Sequence, residues 1–307
     1  MRFLGVEETG ARLPYVDLAE SIRKMALERA SGEVRAPARM SLSLPEGGVL
    51  LAMPAADGEI AITKLVTVHP RNPERDLPTI QGEVVVMEAA TGRRLGILDG
   101  SVLTARRTAA LSLLAARELA PHPEGSLLIV GAGTQGRAHL EAFREGLGTG
   151  RVFITSRTAE RAASLGKLAE ALGVEVRVVE DPKETLDEVS LVVTATTSRE
   201  PVLPEEVPDG IFVAAVGSFE PEAAELPAEL VSRSTVVVDT LEGAREEAGD
   251  LIQAKRVGAF EWDSATSLED ALRASERPKG TVVFKSVGHA LWDLAAARTA
   301  FSGRPRG

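Results

Sequence analysis

Two patterns of apolar and polar positions succeed each other along this chain, and the change falls near residue 120. Over 15–30 the apolar residues Val16, Leu18, Ile22, Met25 and Leu27 recur at roughly helical spacing, and Ser31-Gly32 stops the run. Short strand-like runs follow: MSLSL, GVLLAMP, IAITKLVTV, EVVVMEA and RLGILDG. Turn residues such as Pro45-Glu46-Gly47-Gly48 and Ala56-Asp57-Gly58 separate them, which predicts an antiparallel meander. A long helix rich in Ala, Leu and Arg is expected over 104–119. After PHPEGS, the strands SLLIVGAG, RVFITSR, VEVRVVE, LVVTATT, IFVAAVGS and STVVVDT alternate with amphipathic helices. Most are continuous apolar runs, the mark of strands covered on both faces in a parallel sheet. Together they predict a doubly wound α/β domain. The tail TVVFKSVGHALWDLAAARTAF reads as a strand, a glycine turn and a helix; periodicity leaves open whether it extends that domain or returns to the first.

Composition narrows the classes. A length of 307 residues gives room for two modest domains or one large one. Only 4% of residues are aromatic, so the core must be built from Ala, Val, Leu and Ile. A net charge of −10 argues against nucleic acid as a partner, which would require a basic stripe, yet leaves room for a small anionic substrate met by local cations. There is no cysteine, which excludes disulfides, thiolate metal sites and a cysteine nucleophile. His69, His122, His139 and His289 are scattered without ligand spacing, so no metal site is expected. No charged n-region with an apolar h-region and no membrane-length apolar run is present, and a soluble, cytoplasmic protein is expected.

The first chemical candidate is GAGTQG: Gly131, Ala132, Gly133, Thr134, Gln135 and Gly136. On its own GxGxxG is a weak signal, but here it directly follows LLIV and opens the helix RAHLEAF, the strand–turn–helix order of a dinucleotide site. The first glycine permits the tight turn, the second lets a pyrophosphate approach the backbone, and the third lets helix and strand pack closely. The next strand ends in Ser156, Arg157 and Thr158, where an NAD site usually carries an acid for the ribose 2′-hydroxyl. A guanidinium between two hydroxyls suits a 2′-phosphate instead, so NADPH is favoured over NADH. Thr158 also reads as the cap of the following helix.

Cations embedded in apolar elements of the first third form a second set: Arg39, Lys64, Arg106 and Arg107, with Thr79 nearby. Lys64 interrupts IAITKLV, and Arg107 lies among Ala and Leu in TARRTAALSLLAA. Taken singly each reads more readily as a snorkelling surface side chain than as a ligand-binding one.

The block LPTIQGEVVVMEAATGRRLGILDGSVLTARRTAALSLLAARELA, the GAGTQG loop, AVGSFEPEAAELP and KSVGHALWDLAAA together resemble the ornithine cyclodeaminase/mu-crystallin family over nearly the whole chain. The resemblance implies a Rossmann dinucleotide-binding domain, residues 121–280, with a discontinuous α+β substrate-binding and dimerisation domain, residues 1–120 and 281–307. It thereby assigns the tail to the first domain and implies a homodimer formed through first-domain sheets. It also implies that a substrate carboxylate is held by Arg39, Lys64 and Arg107 with Thr79 beside them, and that Lys64 relays a proton. Val216, Gly217, Ser286 and Gly288 fall in the cofactor site, where the KSVGxAxxD segment approaches the nicotinamide end. Within that segment His289 reads as either a proton donor or a structural residue, and Asp293 as a cap or a partner within its helix.

Cyclodeaminases and the related archaeal alanine dehydrogenases carry an aspartate in a turn that aligns here with Val216-Gly217-Ser218-Phe219-Glu220-Pro221. Phe219 takes the aspartate position, and an aromatic ring cannot serve as acid or base. Glu220 is adjacent but points elsewhere along the turn. This departure and the SRT sequence both resemble the reductase branch, which implies NADPH-dependent reduction of a cyclic imino acid, Δ1-pyrroline-2-carboxylate or Δ1-piperideine-2-carboxylate, to L-proline or L-pipecolate. The alternatives are a cyclodeaminase or alanine-dehydrogenase-like enzyme, and a nucleotide-holding protein of crystallin type.

Overall fold

The computed structural model describes residues 2–29 and 31–302, Pro73 by its backbone alone; Ala30, the last residue of the helix expected over 15–30, lies outside the described residues, as do Met1 and 303–307. The chain divides into two compact units, Met1–Arg107 with Ala290–Gly307, and Thr108–His289.

The first unit opens with β1 (Arg2–Leu4), α1 (Val6–Ala11) and α2 (Tyr15–Arg29). The meander follows as β2 (Met40–Ser43), β3 (Val49–Ala56), β4 (Ile60–Val68), β5 (Ile80–Glu88) and β6 (Arg94–Asp99). The sheet order is β1-β6-β5-β4-β3-β2, antiparallel throughout except that β1 joins β6 in parallel. Period-two alternation decides which side chains are buried: in β4 Ile60, Ile62, Lys64 and Val66 point into the unit, while Leu65 points out. Thus a lysine occupies a core position.

Helix α3 (Gly100–Leu119) starts at Gly100, earlier than 104, because its start is set by capping rather than by apolar periodicity. Asp99 Oδ1 accepts the Val102 N–H at 2.8 Å, which satisfies one of the free donors of the first turn. Gly100 is required here, since a Cβ would lie 2.6 Å from the Gly82 carbonyl. Thr9 completes the corner by accepting the Asp99 N–H at 3.1 Å and donating to the Leu4 carbonyl at 2.9 Å. The segment LDGSVLTARR is therefore a corner that fixes where Arg107 emerges.

The second unit contains β7 (Leu127–Val130), α4 (Thr134–Leu147), β8 (Arg151–Thr155), α5 (Ala159–Ala171), β9 (Glu175–Val178), β10 (Leu191–Thr194) and β11 (Phe212–Ala215). It continues through α6 (Ala228–Ser232), β12 (Thr235–Val238), α7 (Leu241–Glu247), α8 (Gly249–Arg256), β13 (Thr266–Ser267), α9 (Leu268–Ala271) and β14 (Val282–Lys285). All eight strands are parallel, in the order β13-β12-β14-β11-β10-β7-β8-β9. After β9 the chain crosses back to place β10 on the other side of β7, so the direction of winding switches between β7 and β10, the place where Rossmann-type sheets open a ligand crevice.

The boundary expected at 281 needs correcting. β14 pairs on both sides, with β11 and with β12, and all four of its residues are buried, so the chain stays in the second unit through His289. On the other side the second unit begins at Thr108, within α3, rather than at 121. The chain rejoins the first unit in α10 (Ala290–Phe301), a helix buried along nearly its whole length that packs on α2, β3 and β4. Ser21 Oγ and Arg12 Nη1 donate to its Ala295 and Ala300 carbonyls, each at 2.9 Å.

Candidate functional site

In the first unit three elements deliver charge to one buried point. Lys64 from β4 and Arg107 from α3 both meet Asp293 of α10, which is wholly buried. Lys64 Nζ lies 3.2 Å from Asp293 Oδ1 and 3.4 Å from Oδ2, and Arg107 Nε donates to the same Oδ1 at 3.0 Å. Asp293 therefore does more than cap its helix or pair within it: it is the shared anion of two cations brought from distant parts of the sequence. Arg107 uses only Nε in this way, and Nη1 and Nη2 carry no hydrogen bond among the described residues. A guanidinium with its fork unspent presents two parallel N–H donors, the geometry that grips a carboxylate. Burial pulls the Lys64 ammonium down from 10.5 to about 8; Asp293 works against that shift, while the positive charges of Arg107 and Arg39 add to it. Lys64 thus holds its proton at neutral pH but releases it readily.

The other cations and Thr79 take different places. Arg39, half-buried just before β2, adds its positive charge to the field at Lys64. Thr79 stands immediately before β5, its carbonyl accepting the His69 N–H at 2.8 Å, whereas Lys64 is paired with Val84 farther along that strand. Arg106 is committed to structure: its Nε donates to the Leu13 carbonyl at 2.7 Å and its guanidinium stacks 3.9 Å over the Tyr15 ring.

In the second unit the expected cofactor residues follow the carboxyl ends of β7, β8, β11 and β14, all on one edge of the parallel sheet. The three glycines of the loop have distinct reasons. Gly131 adopts φ +111°, and a Cβ there would lie 2.4 Å from the Ala195 carbonyl oxygen. A Cβ on Gly136 would lie 2.0 Å from the Gly131 oxygen. Gly133 alone faces open space, so nothing in the protein itself excludes a side chain there. Helix α4 then begins with no side-chain cap and no acid in its first turn, leaving its N–H groups and positive dipole end for an anion. Gln135 presents a buried Oε1 with no partner among the described residues. Two glycines close the turn, one position is left free and an uncapped helix end stands behind it; this is a fit for a dinucleotide pyrophosphate.

At the end of β8, Arg157 is exposed and Ser156 Oγ accepts the Thr158 N–H at 3.4 Å. Thr158 occupies the cap position of α5, but its hydroxyl accepts no capping hydrogen bond, so the side chain is not consumed by the helix. Val216 donates to the Thr194 carbonyl at 3.0 Å. The Ser286 hydroxyl and the Gly288 N–H both donate to Asp239 Oδ2 at 2.8 Å, which commits these donors to holding their own loop. His289, half-buried, ends the unit. Phe219 is exposed, and Glu220 pairs on the surface with Arg199 at 2.8 Å, so neither resembles a buried acid–base group.

A buried ionic network also lies among these strand ends, and sequence reasoning missed it. Glu225 Oε1 accepts the Thr196 N–H and hydroxyl, both at 2.7 Å, and Oε2 accepts the Gly217 N–H at 2.7 Å and the Thr194 hydroxyl at 3.0 Å. Burial raises its pKa and Lys285 opposes that; with a backbone N–H on each oxygen, the ionised form is the one this geometry satisfies. Asp250 Oδ1 accepts the Glu225 and Leu226 N–H groups at 2.6 and 2.9 Å, and Lys285 Nζ pairs with Asp250 Oδ2 and donates to the Ser218 carbonyl, both at 2.7 Å. The network ties together the ends of β10, β11 and β14. Lys285, the one charge within TVVFKSV, is the signal that pointed to it, of the same kind as Lys64 in IAITKLV. His139 is a further buried group: burial pushes its pKa down to about 4, so the ring is neutral, with Nδ1 2.8 Å from the Gln135 carbonyl and Nε2 2.9 Å from Ser112 Oγ.

Comparison with known proteins gives a consistent picture. The family model for the ornithine cyclodeaminase/mu-crystallin family matches residues 2–302. Δ1-pyrroline-2-carboxylate reductase 1 of Burkholderia multivorans is 39% identical over 293 residues, 95% of this chain and 93% of its own length. A protein of Azospirillum brasilense named Δ1-pyrroline-2-carboxylate/Δ1-piperideine-2-carboxylate reductase is likewise 39% identical over 293 residues, with the same 95% and 93% covered. Among solved structures, Thermococcus litoralis Δ1-pyrroline-2-carboxylate reductase in complex with NADH and L-proline matches with a TM-score of 0.90 and 28% identity, over 98% of this chain and 96% of that one. The chain belongs to the ornithine cyclodeaminase/mu-crystallin family.

Proposed function

We propose that this protein is an NADPH-dependent reductase of cyclic ketimine carboxylates, converting Δ1-pyrroline-2-carboxylate to L-proline and Δ1-piperideine-2-carboxylate to L-pipecolate. The observation that carries the reading is the buried Lys64–Asp293–Arg107 cluster, in which two cations share one carboxylate and Arg107 keeps two unspent donors. Cations outnumber anions there, so the cluster is completed by a small anion rather than by more protein. Relatives that share 39% of the sequence are named for this reaction.

In this reading Arg107 grips the α-carboxylate through Nη1 and Nη2, with Arg39 adding positive charge. Lys64 transfers a proton from Nζ to the imine nitrogen, which makes the adjacent carbon electrophilic. NADPH, when bound, would supply a hydride to this carbon, and that hydride together with the Lys64 proton accounts for the two hydrogens gained when C=N becomes CH–NH. The neutral Lys64 amine then takes a proton from solvent. No group with the strength of a carboxylate base is needed, which agrees with Phe219 in the place of an aspartate. The Thermococcus litoralis relative is solved with NADH; here Ser156, Arg157 and Thr158, free of acid and with the Thr158 hydroxyl unspent by capping, favour the 2′-phosphate of NADPH.

The second unit is read as the dinucleotide-binding domain and the first as the substrate-binding and dimerisation domain. The first unit's sheet has an outer face, on the side away from Lys64, that is apolar over β2, β3 and much of β4. Cross-strand pairing aligns Met40, Ala52 and Leu65 in one row that continues to Glu83 and Asp99, Leu42, Leu50 and Thr67 in the next, which ends at Gln81, and Pro54, Thr63, Val85, Ile97 and Phe3 in a third. Met40, Leu42, Leu65 and Phe3 are all more than 40% exposed, a patch of the kind that a second copy covers in a homodimer. A cytoplasmic location is part of the same proposal.

The test is the rate of nicotinamide oxidation with Δ1-pyrroline-2-carboxylate, comparing NADPH with NADH, and L-ornithine with NAD as the control. Oxidation with NADPH preferred supports the reading. Ammonia release from ornithine without imine reduction overturns it in favour of a cyclodeaminase.

A further inference from the structure

Lys64 and Arg107 are like charges, and nothing in their own elements holds them together. β3 and β5 present Met53 and Val84 opposite Lys64, neither of which can carry charge. The charged groups that act on Lys64 are Asp293 from α10, Arg107 from α3 and Arg39 from the segment before β2. Of these only Asp293 is an anion, and a single oxygen, Oδ1, receives both Lys64 Nζ and Arg107 Nε. Its carboxylate is wholly buried and lies on a helix that is itself buried nearly all round, so its position is set by packing and not by solvent.

We propose that Asp293 is a positioning residue for imine reduction: its carboxylate holds the Lys64 ammonium and the Arg107 guanidinium in the arrangement from which one donates a proton and the other grips the substrate carboxylate. The inference rests on the reading of Lys64 and Arg107 given above, and Asp293 acts through those two side chains. Two consequences separate this role from plain structural support. Burial, Arg107 and Arg39 all push the Lys64 proton off, and Asp293 alone opposes them, so removing its charge lowers the Lys64 pKa further and shrinks its protonated fraction at neutral pH. Asp293 also occupies Arg107 Nε, which leaves the Nη1–Nη2 edge for the substrate; without it the guanidinium is free to rotate that edge away.

The test compares wild type with Asp293→Asn and Asp293→Glu. The pH profile of kcat/KM for NADPH-dependent reduction of Δ1-pyrroline-2-carboxylate is read alongside NADPH binding and melting temperature. Wild type loses activity as pH rises through about 8. In Asp293→Asn the alkaline limb moves to lower pH by a unit or more, so the rate at pH 7.5 falls about threefold or more and is partly recovered on acidification. NADPH binding is unchanged, KM for the imine rises, and Asp293→Glu restores the limb. The imine's own protonation is the same for every variant, so a moved limb belongs to the enzyme. An Asp293→Asn enzyme with the wild-type limb and KM overturns the proposal. Should Asp293→Asn fail to fold, Asp293→Glu carries the test: the limb stays in place while KM rises, and a displaced limb with unchanged KM overturns it. Competitive acylation of Lys64 against pH, followed by mass spectrometry, reads the same group without activity. A lowered midpoint in Asp293→Asn with no imine reduction by wild type would leave Asp293's control of Lys64 standing and sink the functional reading; normal imine reduction with an unmoved midpoint would do the reverse.

Discussion

A buried lysine, Lys64, and an exposed arginine, Arg157, each make a separate forecast. Lys64 is a core side chain whose proton is loosened by burial to about 8. Acting as an acid, it serves the reaction below that pH and fails above it, so kcat/KM for imine reduction falls as pH rises through about 8. Lys64→Met, which keeps the length and apolar stem, should lose about 10²- to 10⁴-fold in kcat while retaining cofactor binding; steady-state kinetics with a cofactor titration checks both. The same shift has a sign for stability. The unfolded chain binds the Lys64 proton more tightly than the fold does, so this residue weakens the fold below pH 8, and the penalty disappears as pH rises from 8 to 10.5. Arg157 is exposed, so its contribution is to selection and not to the fold. Arg157→Ala should lower the preference for NADPH over NADH by about tenfold or more, read from the ratio of kcat/KM values for the two cofactors, with little change in melting temperature.

At the scale of elements, the loop between β7 and α4 shows what a glycine motif says and what it leaves out. Gly136→Ala would place a methyl group 2.0 Å from a backbone oxygen and should destabilise the second unit by several kcal/mol. Gly133→Ala meets open space, so it should leave the melting temperature nearly unchanged while weakening NADPH binding about tenfold or more. Thermal melts and cofactor titrations of both variants check the pair. Strand and helix periodicity made the meander, the six-strand core of the parallel sheet and this loop legible from the sequence. The corner at Asp99-Gly100 was not legible as a helix start, because the signal is a cap and a close backbone approach to Gly82 rather than a repeat of apolar residues. The end of the second unit was misplaced for a related reason: VVFK reads as a buried strand in any parallel sheet, and only pairing with β11 and β12 says which. The ionic contacts were the least legible part. Lys64, Arg107 and Asp293 are each visible as a charge in an apolar run, but that Asp293 joins the other two depends on a fold that brings together positions 186 apart in the sequence. The Glu225–Asp250–Lys285 network is hidden in the same way, with only Lys285 standing in an apolar strand.

For the whole molecule, the acidic composition and lack of cysteine bounded the function classes, and the family resemblance supplied what periodicity could not, a tail that ends in the first unit. The apolar rows on the outer face of the first sheet make a forecast of their own. The protein should sediment as a dimer at micromolar concentration, and Leu65→Glu, placed on that face and away from Lys64, should shift it toward monomer without unfolding it. Sedimentation or light scattering with a melting curve decides this. If the Lys64–Asp293–Arg107 cluster reads the carboxylate of a cyclic imine, a substrate from which that carboxylate has been removed loses the contact. With NADPH, kcat/KM for Δ1-pyrroline-2-carboxylate should exceed that for Δ1-pyrroline by about 10³-fold or more, and Arg107→Met should erase most of the difference. Equal rates on the two imines, or a preference untouched by Arg107→Met, would contradict it.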